Sequence, residues 1–342
     1  MPFQLSDLHV RLIQAPMAGG PTTPELAAAV GRAGGLGFLA AGYLTPEAVR
    51  TQIEEFRKLA GNGAAFGVNV FVPQPVAQPG AVAAYRDELL AEAAAVGIKL
   101  PEPRFDDTDH WAEKLDLLTS DPVPVVSFTF GLPEADIVTR LRRQGTYTIG
   151  TVTSPDEARE AAATGIDALC VQGPEAGGHR GVFDPSITPP SEPLTELLQK
   201  VRDASDLPLI AAGGISTSTA VAIILENGLA DAVQLGTAFL RADEAATHVL
   251  YRDALVDEQY AETVVTRAFS GRWARALRTP FTDRHANAPA AYPTINQLTK
   301  PLRTAAAARG NATGMSLYAG TGHRLAQAAP AADIIKNLTS DL

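Results

Sequence analysis

The polarity pattern along the chain alternates between two periods. Eight short apolar runs, at residues 10–16, 36–41, 65–72, 123–130, 146–152, 168–171, 207–212 and 232–235, recur at fairly even spacing. They are continuous rather than alternating, which suits strands of a parallel sheet covered on both faces. Between them, apolar residues fall on helical spacing. Thr23-Pro24-Glu25, Thr45-Pro46-Glu47 and Ser154-Pro155-Asp156 each place a hydroxyl before a proline. The hydroxyl can accept an orphan N–H of the first helical turn, and proline suits the first helical position. Gly34-Gly35, Gly145 and Gly228 stand where helices should stop. Helices are therefore predicted to about residue 33, over 45–59, 133–143, 194–204 and 218–226, and from 154 onward.

The rhythm breaks twice. Residues 73–120 carry Pro73, Pro75 and Pro79, then predict helices at 81–96 and 111–118. After 240 no further β/α unit follows, and the composition reads as helical. The fold class is α/β: a (β/α)₈ TIM barrel over 1–240 with a helical insertion at 73–120, and a smaller, mainly helical region at 241–342 covering the substrate side. An open doubly wound sheet would carry G-x-G-x-x-G after its first strand, and Met17-Ala18-Gly19-Gly20 does not match it.

In such a barrel the residues just after each strand face the active site. The most informative such segment is Gln172-Gly173-Pro174-Glu175-Ala176-Gly177-Gly178-His179-Arg180-Gly181, four glycines around one histidine. That backbone freedom marks His179 as the candidate catalytic residue, placed to meet a substrate. Gly213-Gly214 and Gly236-Thr237 follow the seventh and eighth strands, where barrels often hold phosphate. Their N–H groups and one hydroxyl suit a phosphate monoester, helped by a helix beginning near Ser218. Asn69 and Gln172 offer amides that either read a flat heterocycle edge or cap local backbone. Met17 either presses on a ring or fills the core. Arg180 reads as a surface charge ahead of an anion contact, and Glu175 as a solvated loop carboxylate. His9, His110, His248, His285 and His323 have no comparable setting.

Bulk properties narrow the picture. The 342 residues are 46% hydrophobic, enough for a large core. Net charge is −10 with no basic block, which argues against nucleic acid. The single Cys170 excludes an internal disulfide and suits a reducing cytoplasm, with the residue itself as core filler. No signal-peptide pattern, membrane-length apolar run or zinc-type spacing is visible, so no metal and no membrane are expected.

Four segments together resemble the class I nitronate monooxygenases: Gln14-Ala15-Pro16-Met17-Ala18-Gly19-Gly20, Gly67-Val68-Asn69-Val70-Phe71-Val72-Pro73, residues 171–181, and Ala211-Ala212-Gly213-Gly214-Ile215. Phe269-Ser270-Gly271-Arg272, Tyr292-Pro293 and Ser316-Leu317-Tyr318-Ala319-Gly320 extend the resemblance, although Tyr318 stands where the family has tryptophan. The resemblance implies an FMN-dependent, metal-free enzyme that oxidises alkyl nitronates, such as propionate 3-nitronate, with O2 to a carbonyl compound and nitrite. It implies that Pro16, Met17, Ala18, Asn69, Gln172, Gly177, Gly178, Gly213, Gly214, Gln234, Leu235, Gly236 and Thr237 line the FMN. His179 falls on the family's catalytic histidine, and Tyr318 on its substrate side. The implied partners are a nitronate and O2, and a homodimer stays open. Two alternatives remain: an FMN-dependent enoyl-thioester (enoyl-ACP) or NAD(P)H-dependent flavin reductase, and a flavin or phosphate sensor without turnover.

Overall fold

The computed structural model describes residues 3–342. Its first six strands are β1 (Leu12–Gln14), β2 (Phe38–Ala40), β3 (Gly67–Phe71), β4 (Val125–Thr129), β5 (Tyr147–Val152) and β6 (Ala168–Gln172). A two-residue strand, β7 (Gly178–His179), lies outside the barrel, and β8 (Leu209–Ala212) and β9 (Ala232–Leu235) complete it. All eight barrel strands run parallel in the order β1-β9-β8-β6-β5-β4-β3-β2. The circle is nearly closed: Gln14 N donates to Leu36 O at 2.9 Å, and Leu36 N to Leu12 O at 3.0 Å.

The continuous apolar runs follow from two-sided burial. Ile13, Phe38, Ile149, Cys170 and Ile210 fill the barrel interior. Leu12, Leu39, Val68, Val126 and Leu169 point outward into the helical layer. The capping devices form as predicted: Thr23, Thr45 and Ser154 accept from the N–H groups of Leu26, Ala48 and Glu157. The insertion is helical, with its first predicted helix divided at Leu89 into Pro79–Glu88 and Leu90–Ala95, followed by Trp111–Ser120.

The stretch after 240 differs from the expectation of helix throughout. It contains a hairpin, β10 (Thr263–Thr266) and β11 (Ala274–Leu277), and β11 pairs antiparallel with β7, His179 opposite Ala274. Four-residue strands outside any β/α repeat give little periodic signal. Here the segment is held as strand by its partners. Around the hairpin, Val82, Tyr85 and Leu89 of the insertion pack with Phe269, Phe281, Ile295 and Leu298 in one cluster. The helix Ala331–Leu338 packs on the barrel wall beside Pro24–Arg32 and Ser218–Glu226. Among the described residues no helix is long and apolar enough to cross a membrane.

Candidate active site

A cavity of about 920 Å³ opens at the C-terminal ends of the barrel strands. That is near the top of the roughly 300–1,000 Å³ usual for small-molecule sites. Every residue expected to touch cofactor or substrate lines it. Pro16, Met17 and Ala18 come from the loop after β1, and Asn69 from β3. Gln172, Gly177, Gly178 and His179 come from the end of β6 and the loop beyond it. Gly213 and Gly214 follow β8, Gln234 to Thr237 end β9, and Tyr318 reaches in from the C-terminal region.

At the β8 and β9 ends the backbone turns its N–H groups toward the cavity. Gly214 has φ +70°, and a side chain there would also meet Glu175 Cβ at 2.8 Å. Among the described residues, the N–H groups of Gly214, Gly236 and Thr237 have no protein acceptor. Thr237 Oγ1 accepts from Gly320 N at 2.9 Å, which leaves its own O–H available. Thr217 caps the helix Ser218–Glu226 next to these groups. Unpaired donors converging on a cavity beside a helix N-terminus are what an oxyanion group requires.

The two amides have different duties. Asn69 Nδ2 donates to Ser127 Oγ at 2.9 Å and Thr129 Oγ1 at 3.0 Å, leaving Oδ1 as the acceptor offered to the cavity. Gln172 instead caps local backbone. Its Nε2 donates to His179 O at 3.0 Å and its Oε1 accepts from Gly181 N at 2.8 Å, which closes the histidine loop on itself. Gln234 Nε2 reaches the Cys170 sulfur at 3.3 Å. Cys170 is core filler as expected, and burial pushes its thiol up to about 12.

His179 lies at the centre of an aromatic box. Its ring centroid is 5.1 Å from Tyr318, 5.7 Å from Phe130 and 5.7 Å from Tyr292. Its Nε2 lies 2.8 Å from Ser270 Oγ. Burial, and then the guanidinium groups of Arg272 and Arg303, hold its pKa down to about 3. The imidazole is therefore neutral at physiological pH. The Tyr318 hydroxyl lies beside Ser270 without hydrogen-bonding geometry, and burial raises its pKa.

Arg180 corrects the sequence reading, because it is not a surface charge. It is 1% exposed, and its guanidinium donates to Gly173 O and, at 3.5 Å, to Pro190 O. Glu175 is only half-exposed, and its Oε2 is buried without a hydrogen bond. Arg272, fully buried, donates from Nε to Arg180 O at 3.3 Å and from its other nitrogens to Val182 O and Gln74 Oε1. Its guanidinium carbon sits 4.1 Å over the Phe130 ring. Buried arginines whose acceptors are backbone carbonyls act as struts, and these two hold the histidine loop.

Sequence reasoning missed a wall of the cavity. Asn296, Lys300 and Arg303 line it from the helix Thr294–Ala308, at spacings of four and three that share one face. That spacing was visible in the sequence, but nothing in it told which face met the site. His110 and His248, left unassigned, also line the cavity, and both are exposed. No cluster of metal-ligating side chains exists among the described residues.

The profile of the nitronate monooxygenase family matches residues 4–341. A probable nitronate monooxygenase of Staphylococcus aureus strain Newman is 35% identical, over 99% of this chain and 96% of the relative. A solved nitroalkane oxidase from Streptomyces ansochromogenes is 48% identical with a TM-score of 0.93, covering 99% of this chain and 97% of that one. FabK from Thermotoga maritima is similar at 27% identity and a TM-score of 0.74, covering 98% and 94%.

Proposed function

The chain belongs to the nitronate monooxygenase family, and from that premise we propose that it uses FMN and O2 to oxidise alkyl nitronates to a carbonyl compound and nitrite. The observation that carries this reading is one cavity holding both unpaired backbone N–H groups and a neutral histidine under two guanidinium groups. The residues fit FMN. The N–H groups of Gly214, Gly236 and Thr237 and the Thr237 hydroxyl suit its phosphate, with Gly213 completing the turn. The Asn69 carbonyl suits an N–H on a ring edge. Pro16, Met17, Ala18, Gly177 and Gly178 shape the walls, as do Gln234 and Leu235. When bound, the flavin supplies the redox capacity that no protein side chain has.

The chain's own residues supply charge, shape and dryness. Arg272 and Arg303 favour a negative substrate beside His179, for the same reason that they disfavour an imidazolium. Phe130, Tyr292 and Tyr318 exclude water around the histidine and strengthen those charge interactions. Lys300 adds positive charge on the same wall, which suits a nitronate carrying a second acidic group, such as propionate 3-nitronate. The insertion and the elements after 240 act together as the cover of the substrate side. The test is aerobic turnover: a nitronate should yield nitrite and the matching carbonyl compound in equal amounts. Flavin-loaded protein that releases no nitrite from any of several alkyl nitronates overturns the reading.

A further inference from the structure

Ser270 is one of the least exposed polar residues of the protein, at 1%, and the activity proposed above gives it no role. It occupies the turn between β10 and β11. Gly271, at φ +77°, presses that turn against Ala291 and Tyr292, where an added Cβ would lie 2.7 Å from the Ala291 carbonyl carbon. Gly271 O accepts from Ala291 N at 2.9 Å, and Gly271 N donates to Arg267 O at 2.8 Å. The turn is thus held from both sides, and it presents one hydroxyl to one ring nitrogen of His179. The backbone of His179 is held by the same hairpin: β7 pairs with β11, and Arg180 N donates to Trp273 O at 2.7 Å.

The hydrogen bonds around Ser270 Oγ decide which way the proton points. A serine hydroxyl has one proton and two lone pairs. Arg272 N donates to Oγ at 3.3 Å, and Oγ donates to Arg272 O at 3.2 Å. With the single proton on the Arg272 carbonyl, the remaining contact, 2.8 Å to His179 Nε2, must be an N–H donated by the ring. If Ser270 turned its proton to the ring, the buried Arg272 carbonyl would lose that donor, a loss the folded state disfavours. Nδ1 receives no hydrogen bond from the described residues and is the nitrogen left with a lone pair.

We propose that Ser270 is a positioning residue: by accepting the Nε2 proton it fixes His179 as the Nε2–H tautomer and leaves Nδ1 to meet the substrate. This rests on the reading of His179 as the working histidine of the cavity. Toward a neutral nitroalkane the bare Nδ1 is the nitrogen left to accept a proton, and the nitronate anion formed beside it offsets the two guanidinium groups that keep the free ring neutral; toward a nitronate it offers no donor.

Nitrogen NMR of flavin-loaded protein carrying ¹⁵N-histidine tests the tautomer without any substrate. The signal absent in His179→Asn identifies the residue among the six histidines. Near neutral pH the wild type should show a protonated Nε2 and a pyridine-like Nδ1. Ser270→Thr should keep that signature and Ser270→Ala should lose it. Anaerobic flavin reduction by a neutral nitroalkane should then slow by about 10- to 100-fold in Ser270→Ala, by analogy with the loss of the hydrogen-bond partner that orients a metal-bound histidine. The change should fall on the reduction rate rather than on KM, with Ser270→Thr restoring most of it. A protonated Nδ1 in the wild type, or an Nε2–H signature unchanged in Ser270→Ala, overturns the proposal. If the wild-type signature is as stated but no nitro compound reduces the flavin, the proposed function fails while the tautomer assignment stands. If Ser270→Ala does not fold, the wild-type and Ser270→Thr spectra alone still decide.

Discussion

His179 is held neutral by burial and by two arginines, and that has a measurable cost in acid. Its pKa in the folded protein is about 3, against about 6.5 for a free imidazole. Between those values the unfolded chain binds a proton that the native site refuses, so stability falls as pH drops from 6.5 toward 3. Removing the imidazole should lessen that fall. His179→Asn should narrow the stability difference between pH 7.5 and pH 5, on the order of 1–2 kcal/mol, in urea unfolding. A pH dependence identical to wild type would mean that the ring titrates normally. At the end of β8, Gly214→Val combines a positive φ with a clash against Glu175. The variant should purify with most of its flavin missing, read from the visible absorbance per chain. Full flavin content would place the phosphate elsewhere. The place of Gly214 and His179 on the cavity was legible in the sequence, because a run of glycines at a strand end marks backbone that must turn sharply or approach a ligand closely. Arg180 was not legible. Its partners are the carbonyls of Gly173 and Pro190, and a sequence does not show which carbonyls a loop will turn inward.

Among the elements, the barrel strands were readable because burial on both faces makes each a continuous apolar run. The capped helices were readable because Thr23, Thr45 and Ser154 carry their signal locally. The β10–β11 hairpin was not readable. Its strands are short, and one partner is the pair Gly178–His179, far away in the chain. Such long-range pairing leaves little trace in local propensity. The same limit hid the shared cluster between the insertion and the helix Thr294–Ala308. Leu298 is fully buried there. Leu298→Ala should destabilise the protein by about 2–5 kcal/mol and lower Tm accordingly. Because the opposite face of that helix carries Asn296, Lys300 and Arg303 to the cavity, KM for a nitronate should rise while flavin content stays near wild type. A fall in flavin with KM unchanged would mean that the cluster supports the cofactor side instead.

Across the whole molecule the charge balance runs against its proposed substrate. The chain carries a net charge of −10, while a nitronate is an anion. The attraction is therefore local: Arg272 and Arg303 supply positive charge beside one histidine, Lys300 adds charge to the cavity wall, and the aromatic box lowers the dielectric around the ring. The barrel brings the unpaired N–H groups of Gly214, Gly236 and Thr237 to the same mouth, and the elements after 240 place Ser270 and Tyr318 against His179. The arrangement predicts that the electrons of a nitronate pass to a flavin held in this cavity. Anaerobic mixing of the flavin-loaded protein with an alkyl nitronate, followed in the visible spectrum, measures that transfer before oxygen takes part. The flavin should bleach rapidly with the nitronate and stay oxidised with NADPH. A flavin that stays oxidised with every nitronate but is bleached by NADPH would contradict the account and identify a reductase.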